Sequence, residues 1–125
     1  MTLKLLFTLT AVVGAVFGLG FFLIPGSVLA LYGITADAAP INLARLLGAA
    51  YLGYAALSWQ VRDAPDSPAR RGIVLALVIA FAIGLVASVL GQLGGAVNAL
   101  GWSTVVIYAL FTLGYGYFQF MKPGG

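Results

Sequence analysis

Residues 72–93 read GIVLALVIAFAIGLVASVLGQL, a run of 22 positions without a single charge. As a helix rising about 1.5 Å per residue, such a run covers roughly the 30 Å of hydrocarbon in a bilayer. Three more stretches share its length and character: Leu5 to Ile24 with 20 residues, Ile41 to Val61 with 21 and Trp102 to Met121 with 20. Nearly every charged residue lies outside these four runs. The expected fold class is therefore all-α, an integral membrane bundle of four transmembrane helices spanning about 5–24, 41–61, 72–93 and 102–121. Residues 1–125 form one domain, with no internal repeat between the two halves.

Composition points the same way. The chain is 62% hydrophobic and 7% charged, with a mean hydropathy of +1.10, far from the balance of a soluble domain. Its 17 glycines would weaken soluble helices, but in lipid they let backbones approach closely. The absence of Cys and His removes disulfides, thiol redox chemistry, the commonest metal ligand and the commonest general base. All three acids are Asp37, Asp63 and Asp66, and none lies in a span. Proton-coupled export and haem ligation both lack their essential group, so a non-catalytic protein without a metal site is expected. The net charge of +3 belongs to residues beside membrane segments and calls for no nucleic-acid partner.

Five of the six basic residues, Lys4, Arg62, Arg70, Arg71 and Lys122, fall on the side shared by the termini and the second loop of a four-span chain. The positive-inside rule puts that side in the cytoplasm, giving a multi-pass protein of a bacterial-type inner membrane. The first run is longer than a signal-peptide core and reads as a retained span. RDAPDSPARR, residues 62–71, is a solvated hairpin loop that should make spans two and three antiparallel neighbours. PGSVLALYGI, residues 25–34, is too short to cross and reads as a brief interfacial helix stopped by Gly33. GQLGGAVNALG, residues 91–101, makes an uncharged outer turn.

Small residues mark the packing faces. Gly72, Ala76, Ala80, Gly84 and Ser88 recur every four residues in span three, and Gly14 and Gly18 form a GxxxG match in span one. Contact within the bundle explains them first, and homo-oligomerisation or docking on a larger complex second. Two polar faces also stand out. In span two, Asn42, Arg45, Ala49, Gly53, Ala56 and Gln60 lie within about 80° of one another at ~100° per residue, a face expected to turn from lipid. Arg45 either snorkels, pairs with Asp37, or anchors an anionic or carbonyl-bearing ligand. In span four, Thr104, Tyr108, Thr112, Tyr115 and Gln119 share an arc, and their hydroxyls must bond across the bundle or line a pocket. Trp59, Trp102, Phe118 and Phe120 read as interface anchors.

FFLIPGSVLALYGI, residues 21–34, followed by NLARLLGAAYLGYAALSW, residues 42–59, and two more spans, resembles the DoxX-like superfamily of small four-helix membrane proteins. The shared features are a proline ending the first span, an L-x-L-Y-G turn, and an Arg with small residues opening the second span. The resemblance implies that Arg45 takes the place of the superfamily's second-span arginine. Some members are small subunits of quinone-linked oxidoreductases, and many have no assigned activity.

Three functions follow as expectations. The first is an accessory subunit packing within a larger membrane complex or a homo-oligomer, in contact with lipid and a membrane-protein partner. The second is a binder of an apolar ligand, a quinone, carotenoid or other isoprenoid, held between spans two and four with Asn42, Arg45, Tyr108, Thr112 and Tyr115 near its polar end. A transporter for a small neutral solute comes third.

Overall fold

The computed structural model describes residues 2–35 and 37–122. Among them every regular element is helical: α1 (Leu3–Leu23), α2 (Pro25–Leu31), α3 (Ala38–Val61), α4 (Pro68–Leu93) and α5 (Gly101–Gly116), the last continued by a π-helical turn at Tyr117–Met121. Three of these are long and apolar enough to cross a membrane: Leu3–Leu23, Pro68–Leu93 and Gly101–Met121. The fourth long helix, α3, has 24 residues. Asn42, Arg45 and Gln60 dilute its hydropathy, so composition alone does not place it with the other three.

Local chemistry sets the helix ends. Thr2 caps α1 by accepting from the Leu5 N–H at 3.1 Å, and Ser67 caps α4 by accepting from the Arg70 N–H at 3.1 Å. Pro25 opens α2, where a missing N–H costs nothing. Gly33, at φ 76°, closes it: the Gly33 N–H donates to the Ala30 carbonyl and the Ile34 N–H to the Leu29 carbonyl, both at 3.0 Å. This is a Schellman motif, which needs the left-handed backbone that glycine adopts freely. The expected interfacial segment is thus a seven-residue helix with the expected stop.

The helices associate as two pairs, α1 with α3 and α4 with α5. Glycine brings the first pair together. A Cβ on Gly48 would lie 2.7 Å from the Gly18 carbonyl oxygen and 2.8 Å from the Phe22 nitrogen, and one on Gly14 3.0 Å from the Tyr51 carbonyl. In the second pair Gly84 makes room for the Tyr108 ring. The hairpin loop joins the two pairs rather than building one of them, which corrects the expectation that α3 and α4 are close neighbours. Their backbones make no extended contact, and they meet through Tyr54 and Phe81, an edge-to-face pair with centroids 5.9 Å apart.

Ion pairs gather the charged end. Lys4 reaches Asp63 at 2.7 Å, and Arg71 grips Asp66 in a fork at 3.0 and 2.7 Å. Hydrogen bonding from Lys4 holds the Asp63 carboxyl below the usual range, and bonding from Arg71 does the same for Asp66. The start of α1 and the α3–α4 loop therefore share one end of the molecule. At the opposite end Asn98, in the turn after α4, clips that turn to α2: its side-chain amide donates to the Leu31 carbonyl at 2.9 Å and its backbone N–H to the Tyr32 carbonyl at 3.0 Å.

Between the two ends the interior changes. Toward the charged end, Leu3, Leu6, Phe7, Val74, Leu77, Tyr115 and Phe118 pack into a closed core with Phe81. Phe118 is buried there, not exposed as an interface anchor, because the π-helical turn rotates it inward; Trp59, Trp102 and Phe120 are exposed as expected of anchors. Toward the α2 end, Phe21, Leu29, Tyr32 and Ala44 form a smaller cluster. An open space separates the two.

A cavity between the helix pairs

That space is a cavity of about 240 Å³ reached by all five helices. Phe81 forms its floor, stacked on Phe111 at 5.3 Å and on Tyr115 at 5.8 Å, so the ring borders both the closed core and the open space. Val13, Gly14 and Phe17 of α1 make one wall, and Leu47, Tyr51 and Tyr54 of α3 another. Thr104, Ile107 and Tyr108 of α5 face them, and Leu29, Tyr32, Ile34 and Val97 close the α2 end. The lining is almost wholly apolar, and its polar groups are hydroxyls. No Asp, Glu, Lys or Arg touches it.

Three pairs of hydroxyls bridge α5 to the rest of the bundle. Tyr51 and Tyr108 meet at 2.6 Å, Tyr32 and Thr104 at 3.2 Å, and Thr10 and Tyr115 at 2.6 Å. Thr104 and Tyr108 stand four residues apart, so the first two pairs are stacked one helical turn apart along α5. The arc expected for Thr104, Tyr108, Thr112, Tyr115 and Gln119 faces inward, and none of the five is fully exposed. Its members divide by role. Tyr108 lines the cavity, Tyr115 belongs to the closed core, and Thr112 spends its hydroxyl on the Tyr108 carbonyl of its own helix at 2.7 Å.

The polar face of α3 is arranged otherwise. Asn42, Arg45, Ala49, Gly53, Ala56 and Gln60 are all exposed, and a Cβ on Gly53 would meet nothing within 4 Å. That face lies on the outside of the chain and packs against none of its other helices. The buried face carries Ala44, Gly48, Ala55 and Ser58, because only small side chains allow α3 to approach α1 so closely. Among the described residues Arg45 makes no ion pair, with Asp37 or with any other acid, and neither Asn42 nor Arg45 touches the cavity.

The small residues of α4 divide as well. Gly84 packs on Tyr108, whereas Gly72 and Ala76 are exposed, Gly72 with nothing near its Cβ position. Ala80 is half-buried, and Ser88 bonds the Leu85 carbonyl at 2.9 Å. On α1, Gly14 and Gly18 both pack against α3.

Sequence reasoning missed Tyr51, Tyr32 and Asn98. For Tyr51 the signal was present in the spacing Ala44, Gly48, Tyr51, Ala55, Ser58, alternately four and three residues, which puts the phenol on the packed face.

The architecture defines a class: a bundle of apolar helices with a hydroxyl-lined cavity between two helix pairs. The chain belongs to the family described as a domain of unknown function, DUF8292, whose model matches residues 8–122. No curated protein and no solved structure matches it.

Proposed function

We propose that this protein is a four-span membrane protein that binds a small neutral apolar molecule, or the ring-bearing head of a larger lipophile, between its two helix pairs. The observation that carries this reading is the cavity of about 240 Å³ with an apolar lining and uncharged hydroxyls. An apolar cavity of about 150 Å³ holds benzene, so this one accommodates a substituted ring. It is too small to enclose a carotenoid or a long isoprenoid chain, whose tail would have to lie in lipid. The almost wholly apolar lining favours a neutral ligand. In this reading α3 crosses the membrane beside α1, α2 lies at the outer interface, and the end bearing Lys4, Arg62, Arg70 and Arg71 is cytoplasmic. The resemblance to DoxX-like proteins is consistent with this layout, but the arginine that carries it stands outside the cavity.

The test is binding of ethylbenzene to the purified protein in detergent, read as a rise in melting temperature that saturates with ligand. Val13→Phe, which fills the cavity from its α1 wall, should melt as the wild type does and show no such rise. Equal rises in both proteins would mean that the compound acts on the micelle, and no rise in either would end the reading.

A second reading, membership of a larger complex, is supported by the outward face of α3. Asn42, Arg45 and Gln60 beside Ala49, Gly53 and Ala56 make a polar, small-residue surface poorly suited to lipid. Arg45→Met would release a partner held there while leaving ligand binding intact.

A further inference from the structure

We infer that the ligand, on the reading of the cavity given above, carries a hydrogen-bond-accepting carbonyl directed at the Tyr51–Tyr108 hydroxyl pair. The argument is a count of protons. Two phenols joined by one hydrogen bond hold two O–H protons, and the bond uses one of them. The phenol that accepts keeps its own proton and must place it elsewhere. Among the described residues neither Tyr51 nor Tyr108 has another hydrogen-bond partner, and both side chains line the cavity. The surplus donor therefore has nowhere to go but the open space.

The Thr10–Tyr115 pair shows what a completed pair looks like. Thr10 Oγ1 lies 3.0 Å from the Leu6 carbonyl and Tyr115 Oη 3.4 Å from the same oxygen, so that oxygen takes one proton and the pair's own bond takes the other. Both protons of that pair are placed. Among the described residues no backbone carbonyl accepts from either phenol of the Tyr51–Tyr108 pair. A part-buried donor left without a protein acceptor gains when a ligand supplies one. A ketone, ester or similar carbonyl does so. A hydrocarbon does not.

Acetophenone and ethylbenzene share a shape and differ in the carbonyl. Their affinities are compared for the wild type and for Tyr51→Phe/Tyr108→Phe in the same detergent, so that partition into micelles cancels in the ratio. The wild type should prefer acetophenone about tenfold more strongly than the double variant does, corresponding to about 1.4 kcal/mol. Tyr108→Phe alone should keep the preference, because Tyr51 then retains a free O–H. Should the double variant not fold, the carbonyl stretch of acetophenone bound to the wild type and to Tyr108→Phe decides. It should be lowered from its value in hydrocarbon in both proteins, and an unshifted band in either overturns the inference. Equal preference in wild type and double variant overturns it while leaving the binding function standing. Failure of both probes to bind removes the function and the inference together.

Discussion

The closed core near the charged end and the open cavity near the α2 end are built from the same helices, yet they handle the same problem differently. In both, α5 presents a tyrosine hydroxyl to the α1–α3 pair. Around Tyr115 the neighbouring side chains are Leu6, Phe7, Leu77 and Phe118, the helix pairs close on each other, and a backbone carbonyl completes the hydrogen bonding. Around Tyr108 the side chains are large aromatics that meet at their rims, with Phe81 and Tyr108 centroids 6.2 Å apart, and the space between the pairs stays open. The difference teaches that the cavity is not a general looseness of a lipid-embedded bundle. Interiors ordinarily pack to the density of organic crystals, and the core toward the charged end buries each of its eight side chains to 5% exposure or less.

The largest effect should come from the feature both halves depend on, the close approach of α1 and α3. Gly48→Leu would drive a side chain into the backbone of Gly18 and Phe22, which cannot yield as a flexible side chain would. A loss at or above the ~3 kcal/mol upper end of ordinary overpacking is expected, seen as a collapse of the melting temperature in detergent. If Gly48→Leu melts normally, the pairing of α1 with α3 is wrong.

Truncating one phenylalanine in each half sharpens the contrast. Phe7 is 1% exposed in the closed core, and Phe7→Ala should cost about 3–5 kcal/mol. Phe17 already borders empty space, so Phe17→Ala removes fewer contacts and should cost markedly less. Equal losses on denaturant titration would mean that the two halves are packed alike.

A smaller effect tests a hydroxyl of the closed half. Among the described residues the completely buried Ser58 Oγ meets no partner at full hydrogen-bond geometry. Ser58→Ala should therefore be neutral or stabilising by up to about 1 kcal/mol, since it removes an orphan group and little volume. A loss of stability would show that Ser58 takes part in the bonding around Tyr115.

Much of this fold is legible in the sequence because the bilayer imposes its length on the chain. The three helices long and apolar enough to cross a membrane, the short helix after Pro25 and its stop at Gly33 all follow from hydropathy and backbone chemistry. Which helices pair does not. The short loop at residues 62–71 suggested α3 with α4, but loop length limits only the distance between helix ends, whereas Gly14, Gly18 and Gly48 determine which backbones touch. Arg45 misled for a related reason. A polar residue near a helix end can be sheltered inside or exposed outside, and on α3 the small-residue stripe on the opposite face decides the rotation. The inward arc of α5 was readable because all five of its members are polar. Tyr51 was readable only from its four- and three-residue spacing to Ala44, Gly48, Ala55 and Ser58, because polarity does not mark that face.

The central claim is that the open half of the bundle exists to hold a neutral apolar molecule. It is tested most directly by extracting small molecules from the protein purified in mild detergent from its native membrane, with Val13→Phe purified in parallel, and quantifying them by mass spectrometry. The account predicts one neutral, carbonyl-bearing lipophile at close to one per chain in the wild type and its absence from a folded Val13→Phe. Equal amounts of every lipophile in the two proteins, or none enriched in the wild type, would contradict it.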